Sequence, residues 1–191
     1  MIIVGDIHGE YEWLARLAKK EFPKKIVQIG DFGFGFREFP ESFRSNLRFF
    51  PGNHDDPDAA IKHPNCLGRF GNQEDFFFIS GADSIDKHDR IEGKDWWRNE
   101  ELSYAEFQNA LDLYEKVRPK IVLSHDGPQS VVKNLFGYDE KSFTRTALDA
   151  MLAIHEPELW IFGHHHSSRE INIGRTKFIC LKERGIYEIP N

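Results

Sequence analysis

Five short runs concentrate the side chains of this sequence that could do chemistry: Gly5-Asp6-Ile7-His8-Gly9, Gly30-Asp31, Gly52-Asn53-His54-Asp55, Ser124-His125-Asp126-Gly127 and Gly163-His164-His165-His166. They offer carboxylates, one amide and several imidazoles from well-separated parts of the chain. Donors of that mixture suit first-row divalent metals, and they suffice for two ions with a histidine to spare. Paired dications clamp the attacking and leaving oxygens of a displacement at phosphorus, so the pattern points to metal-assisted hydrolysis of a phosphate ester. Each run alone is common. Their joint occurrence carries the reading.

Scattered ligands need elements that bring them together. Each run begins where an apolar stretch ends: Val4 precedes Gly5, Ile29 precedes Gly30, Phe50 precedes the Pro51-Gly52 turn, Leu123 precedes Ser124, and Phe162 precedes Gly163. Side chains that do chemistry in open α/β sheets gather at the carboxyl ends of strands, so five strand ends converge on one site. The glycines let the backbone turn sharply and come close to ions or phosphate.

Apolar stretches predict strands over Ile2–Val4, Lys25–Ile29, Leu47–Phe50, Phe76–Ser80, Lys120–Ser124, Leu159–Phe162, Glu170–Ile173, Thr176–Leu181 and Gly185–Ile189. Helical patterns occupy Glu10–Glu21, Pro57–Lys62, Ser103–Val117 and Lys141–His155, with Ser103 and Glu106 spaced as a capping box. Strand and helix alternate early, and the last thirty or so residues read as consecutive antiparallel strands. An α/β (α+β) domain satisfies both, as a two-sheet sandwich with helices outside. The stretch from Ala82 to Glu101 has no regular pattern and reads as an ordered loop around Trp96 and Trp97, at least one of which pins it to the core.

At 191 residues the chain is read as one domain, 1–191, large enough to bury its own core. Cys66 and Cys180 stand in apolar surroundings and are expected as reduced, mostly buried thiols. With no basic leader and no long apolar segment, the expected location is cytoplasmic, with no membrane partner. A net charge of -6 argues against a broad groove for nucleic-acid backbones, though not against a small phosphorylated substrate, because bound dications reverse the local charge. The 17 Phe residues are assigned to the core rather than to a base-stacking surface.

Taken together, the runs resemble the calcineurin-like metallophosphoesterases, which carry Asp-x-His, Gly-Asp, Gly-Asn-His-Asp/Glu, a later lone His and Gly-His-x-His; the match spans Asp6 to His166. The resemblance implies the family's four-layer fold, a two-sheet β-sandwich flanked by helices with metals at the strand ends. It implies that Asp6, His8 and His166 hold one divalent ion, that Asn53, His125 and His164 hold the other, and that Asp31 bridges them. Manganese is the expected metal, with Fe, Zn, Co and Ni compatible with these donors. A metal-bridging hydroxide would attack phosphorus in line, and His54, off the metals, would act as general acid. His165 receives no role: alternation along an extended segment sends it away from His164 and His166. His63, His88 and His155 read as surface or helix-end residues.

One branch of the family, the phosphoprotein phosphatases, continues the second run as Gly-Asp-x-x-Asp-Arg-Gly. Here Phe34 and Gly35 stand at the positions of that Asp and Arg. A protein phosphatase is therefore the alternative rather than the main reading, and phosphodiester turnover is placed ahead of monoester turnover. The expected partner is a small or nucleotide-like phosphoester. A noncatalytic metal-containing binding module and a nuclease are further alternatives, weakened by the complete ligand set and by the acidic balance. The departure leaves open what orients His54 and what grips phosphate; Arg37, Arg90 and Arg98 are the candidates for the second task.

Overall fold

The computed structural model describes residues 1–33, 35 and 43–190, so Phe34 and Arg37 lie outside the described residues. Among the described residues, ten strands form two sheets. The first has the order β10-β1-β2-β3, from Ile186–Glu188, Ile2–Val4, Ile26–Ile29 and Leu47–Phe50. The second has the order β4-β5-β6-β7-β9-β8, from Phe70–Asn72, Phe77–Ile79, Ile121–Ser124, Leu159–Phe162, Thr176–Cys180 and Arg169–Ile173.

The period of two along each strand sorts side chains into layers. In the second sheet, Phe77, Val122, Trp160 and Phe178 align in register and face the helices, while Phe78, Leu123, Ile161 and Ile179 form the next row and face the first sheet. There they meet Ile3, Val27, Ile29 and Phe50. The outer face of the first sheet, with Ile2, Val4, Ile26 and Phe49, packs on Leu14 and Ala18 of α1 (Tyr11–Lys20). Phe107, Ala110 and Tyr114 of α3 (Tyr104–Val117), Val131 and Val132 of α4 (Gln129–Phe136), and Leu148 and Met151 of α5 (Phe143–Ile154) close the other side. A short α2, Pro57–Ala60, follows the third run. The result is helix, sheet, sheet, helix, with Phe32, Phe49, Phe50, Phe77, Phe78, Phe162 and Phe178 fully buried, as the Phe-rich core predicts.

The capping box forms as read: Ser103 Oγ accepts from Glu106 N at 3.3 Å, and the Glu106 carboxylate accepts from Ser103 N at 2.8 Å. Among the described residues, three elements escape the sequence reading: β4, α4 and a single 3-10 turn at Lys87–Asp89. The expectation of consecutive antiparallel strands at the C-terminus needs correction. β8 and β9 do form an antiparallel hairpin, but β9 lies parallel to β7, and β10 leaves for the other sheet to pair antiparallel with β1. Joining the two sheets puts the Gly163-His164-His165-His166 run beside Asp6 and His8, which β1 delivers from the other sheet. Cys66 is half-buried and Cys180 buried, and both are free thiols.

Candidate functional site: two ligand clusters that share Asp31

The carboxyl ends of β1, β2, β3, β6 and β7 deliver all five runs to one edge of the sandwich. Ligand atoms of Asp6, His8, Asp31 and His166 lie within 4.8 Å of one another, as do those of Asp31, His125 and His164. Asp31 belongs to both groups. Its Oδ1 accepts from His54 N at 2.9 Å and lies 3.3 Å from His125 Nε2, while Oδ2 points to His8 Nε2 at 3.8 Å. Oδ2 is buried with no hydrogen-bond partner among the described residues. An orphaned carboxylate oxygen in a dry site is costly unless a cation fills the gap.

Ligand atoms converge in each cluster. His8 Nε2 and His166 Nε2 approach to 3.1 Å, and His166 Nε2 lies 3.1 Å from Asp6 Oδ2. In the second cluster, His125 Nε2 and His164 Nδ1 converge on Asn53 Oδ1 at 2.9 and 3.0 Å. Donor atoms held at such spacings around shared points fit two divalent ions. Glu183, which none of the runs contains, stands 3.6 Å from His8 Nε2 and 3.8 Å from His166 Nδ1.

The orientation of these ligands follows from their partners. His125 Nδ1 faces the Ile29 carbonyl at 3.0 Å, which can only accept, so Nδ1 carries a proton and Nε2 turns to the cluster. Ser84 Oγ donates to the Glu100 carboxylate at 2.6 Å and must therefore accept from Asn53 Nδ2 at 2.9 Å. That leaves Asn53 Oδ1 aimed into the site. Asp55 accepts three backbone N–H groups, from Phe32 at 2.9 Å, Gly33 at 2.6 Å and Gly52 at 2.8 Å, tying the second run to the third.

The backbone is strained where it presents ligands. His8, Asp31, His164 and His166 all have positive φ, at 41°, 53°, 66° and 49°. Gly52 is required by close approach: a Cβ there would stand 2.2 Å from Asp31 Oδ1 and 2.7 Å from His125 Nε2.

Electrostatics follow the packing. Burial opposes a charge on His125, but the adjoining Asp31 carboxylate overrides it and pushes the imidazole up to about 10. Asp31 is held well below the usual carboxylate range despite its burial, chiefly by His125. Burial lowers His164 to about 3. His54 is also lowered by burial, and the Arg90 charge adds to the effect against the pull of Asp31.

His54, Asn53, Ser84, Arg90, Arg145 and His164 are among the residues lining a cavity of about 690 Å³. Of the arginines picked out in the sequence, Arg90 reaches it, but its guanidinium is already engaged. Nη1 lies 2.8 Å from His54 Nδ1, and Asp86 accepts from Nε and Nη2 at 2.7 Å each. Arg98 is exposed, pairs with Glu92 at 2.9 and 3.0 Å, and does not line this cavity. Three residues of the irregular Ala82-to-Glu101 stretch, Ser84, Arg90 and Glu100, thus support the site, and buried Trp97 anchors the stretch against Gly35.

His165 does turn away from the clusters, though not by strand alternation, since positive φ on both sides breaks any extended run. Its Nε2 lies 2.9 Å from Asp126 Oδ1 and its ring stacks on Phe136 at 4.6 Å. Asp126 also pairs with Arg145 at 2.7 Å; both are buried, and sequence reasoning gave neither a role. His63, expected at the surface or a helix end, is buried and accepts from Asn65 N at 3.1 Å.

The profile of the calcineurin-like phosphoesterase family matches residues 1–168, and the chain belongs to that family. It is a hydrolase acting on phosphoester bonds. A dimetal phosphatase from Danio rerio aligns over 97% of this chain and 88% of its own, at 12% identity and a TM-score of 0.55. TT1561 of Thermus thermophilus aligns over 96% and 90%, at 15% identity and a TM-score of 0.52. GAP50, the anchor in the inner membrane complex of Plasmodium, aligns over 94% and 70%, at 13% identity and a TM-score of 0.50. At these identities the likeness is one of fold. Comparison with curated proteins found no match. No helix among the described residues is long and apolar enough to cross a membrane.

Proposed function

We propose that the chain is a two-metal phosphoesterase in which Asp6, His8 and His166 hold one ion, Asn53, His125 and His164 hold the other, and Asp31 bridges them. The observation that carries this is Asp31 itself, with one oxygen turned to each cluster and Oδ2 buried without a hydrogen-bond partner among the described residues. Two dications there would supply Lewis acidity to the phosphoryl oxygens and lower the pKa of water. Manganese is the metal we favour.

His54 lies outside both clusters, with its ring edge-on to His8 at 5.4 Å. Arg90 has only donors and sets Nη1 2.8 Å from His54 Nδ1 and Nη2 3.3 Å from Nε2, so we assign the acceptor role to the closer nitrogen, Nδ1, and the ring proton to Nε2. His54 then offers Nε2–H to the leaving oxygen as a neutral donor, the general-acid role. A neutral donor stabilises a developing alkoxide less than an imidazolium would, which favours esters with acidic leaving groups. Phosphodiesters ahead of monoesters, and a small or nucleotide-like substrate in the cytoplasm, complete the reading.

Turnover of bis-p-nitrophenyl phosphate and p-nitrophenyl phosphate by the Mn²⁺-loaded protein and its His54→Ala variant tests these roles. The expected result is turnover of the diester above the monoester, falling about a hundredfold or more in the variant at unchanged metal content. No turnover of either ester by protein shown to hold metal would defeat the proposal. A His54→Ala variant as active as the parent would remove His54 from it.

A further inference from the structure

Arg145 belongs to none of the five runs, yet the fold brings it to the same cavity as His54 and His164. It stands in the first turn of α5, where Ser142 Oγ caps the helix by accepting from its backbone N–H at 3.1 Å. Its side chain is only 6% exposed. Nε donates to Asp126 Oδ2 at 2.7 Å, and Nη1 to the Glu140 carbonyl at 3.2 Å. Nη2 makes no hydrogen bond among the described residues, and it is not among the solvent-excluded orphan atoms. A buried guanidinium fixed by a carboxylate, with donors still free beside a cavity, is a preorganised anion fork.

Its surroundings specify which anion. The other cavity guanidinium, Arg90, is committed to Asp86 and His54. His164 turns Nδ1 to Asn53 in the ligand cluster, while its Nε2 lies 4.0 Å from Asp126 Oδ2, so the ring stands between the cluster and the Asp126–Arg145 pair. Arg145 is thus set back from the position of the reacting phosphoryl group. Ile85 and Tyr138, 80% and 46% exposed, line the same cavity and offer an apolar path for organic atoms.

We infer that Arg145 selects phosphoesters whose organic part carries a second anionic group, a carboxylate or a further phosphate, a few bonds from the ester phosphorus. The inference rests on the phosphoesterase reading above. Glu140 lines the cavity too, and its carboxylate opposes a bound anion, so selection reflects the balance of Arg145 over Glu140.

The test measures binding to the metal-loaded protein of phosphonoacetate, 3-phosphonopropionate and 4-phosphonobutyrate, each against the alkylphosphonate of equal length. At least one carboxylate should bind about tenfold tighter than its alkyl counterpart. That advantage should vanish in Arg145→Gln and grow in Glu140→Gln. Because the single change leaves Asp126 unpaired, the double variant Asp126→Asn/Arg145→Gln serves if the single one fails to fold. Equal binding of the two series by the parent, or an advantage that survives in a folded, metal-replete Arg145 variant, overturns the inference. If alkylphosphonates bind and carboxylates gain nothing, Arg145 alone loses its role; if neither series binds, the phosphoesterase reading falls with it.

Discussion

Arg90 lies along His54, with Nη1 2.8 Å from Nδ1 and Nη2 3.3 Å from Nε2, while a bidentate bond to Asp86 fixes Arg90 in turn. The group set against His54 is a cation rather than a carboxylate, and that decides which protonation state of the ring it supports. The arginine can only donate, so it opposes protonation of His54 rather than promoting it. Arg90→Gln should lower kcat about tenfold to a hundredfold at unchanged metal content. Without the neighbouring charge, the His54 pKa should rise. NMR titration of His54 in the Zn²⁺-loaded variant checks the second point, and an unmoved titration with parental kcat would contradict both.

Gly52 has no room for a methyl group, because a Cβ would stand 2.3 Å from Asp31 N and closer still to its Oδ1. Gly52→Ala should therefore displace the bridging carboxylate while leaving the sandwich folded, at a cost of about 1–3 kcal/mol. Metal analysis after dialysis should give fewer than two ions per chain. Full metal content in the variant would show that Asp31 is not the shared ligand.

Asp55 accepts three buried backbone N–H groups, so Asp55→Ala strands all three. Each lost acceptor costs about 1–3 kcal/mol, and water entering the gap will reclaim part of that. A destabilisation of about 3 kcal/mol or more in urea unfolding of the metal-free protein is expected. A loss below about 1 kcal/mol would mean that the two loops do not depend on this carboxylate.

Metal affinity should depend on pH through His125. Asp31 holds the His125 imidazole up at about 10, so in the metal-free protein it is protonated at neutrality. An incoming ion must displace that proton from Nε2, so affinity rises with pH below that value and weakens on acidification. The slope should approach about tenfold per pH unit, with one proton released at this site. Calorimetry in buffers of different ionisation enthalpy reads the proton directly, and a pH-independent affinity would contradict the ion pair.

Most strands were legible because their apolar runs are long enough to show burial on both faces, as in β2, where all of Ile26 to Ile29 is buried. β4 was not, since Phe70-Gly71-Asn72 is short, half-exposed and shows no alternation. α4 was missed because Pro128 replaces a side-chain cap and the helix is only 8 residues long. At the site, ligand candidates were readable because their residue types are rare in combination. Their supports were not: Arg90, Ser84 and Glu100 come from a stretch without periodicity, and Arg145 reaches the cavity only through the packing of α5. No local pattern announces a contact made across 36 residues, as between Arg90 and His54.

The central claim is that two ions bridged by Asp31 are needed for phosphoester hydrolysis. Stepwise addition of Mn²⁺ to the metal-free protein, with turnover of bis-p-nitrophenyl phosphate and bound metal followed in the same samples, tests it most directly. Activity should rise with metal content, saturate at two ions per chain, and be lost in Asp31→Asn. Full activity at one ion per chain, or with none, would contradict it.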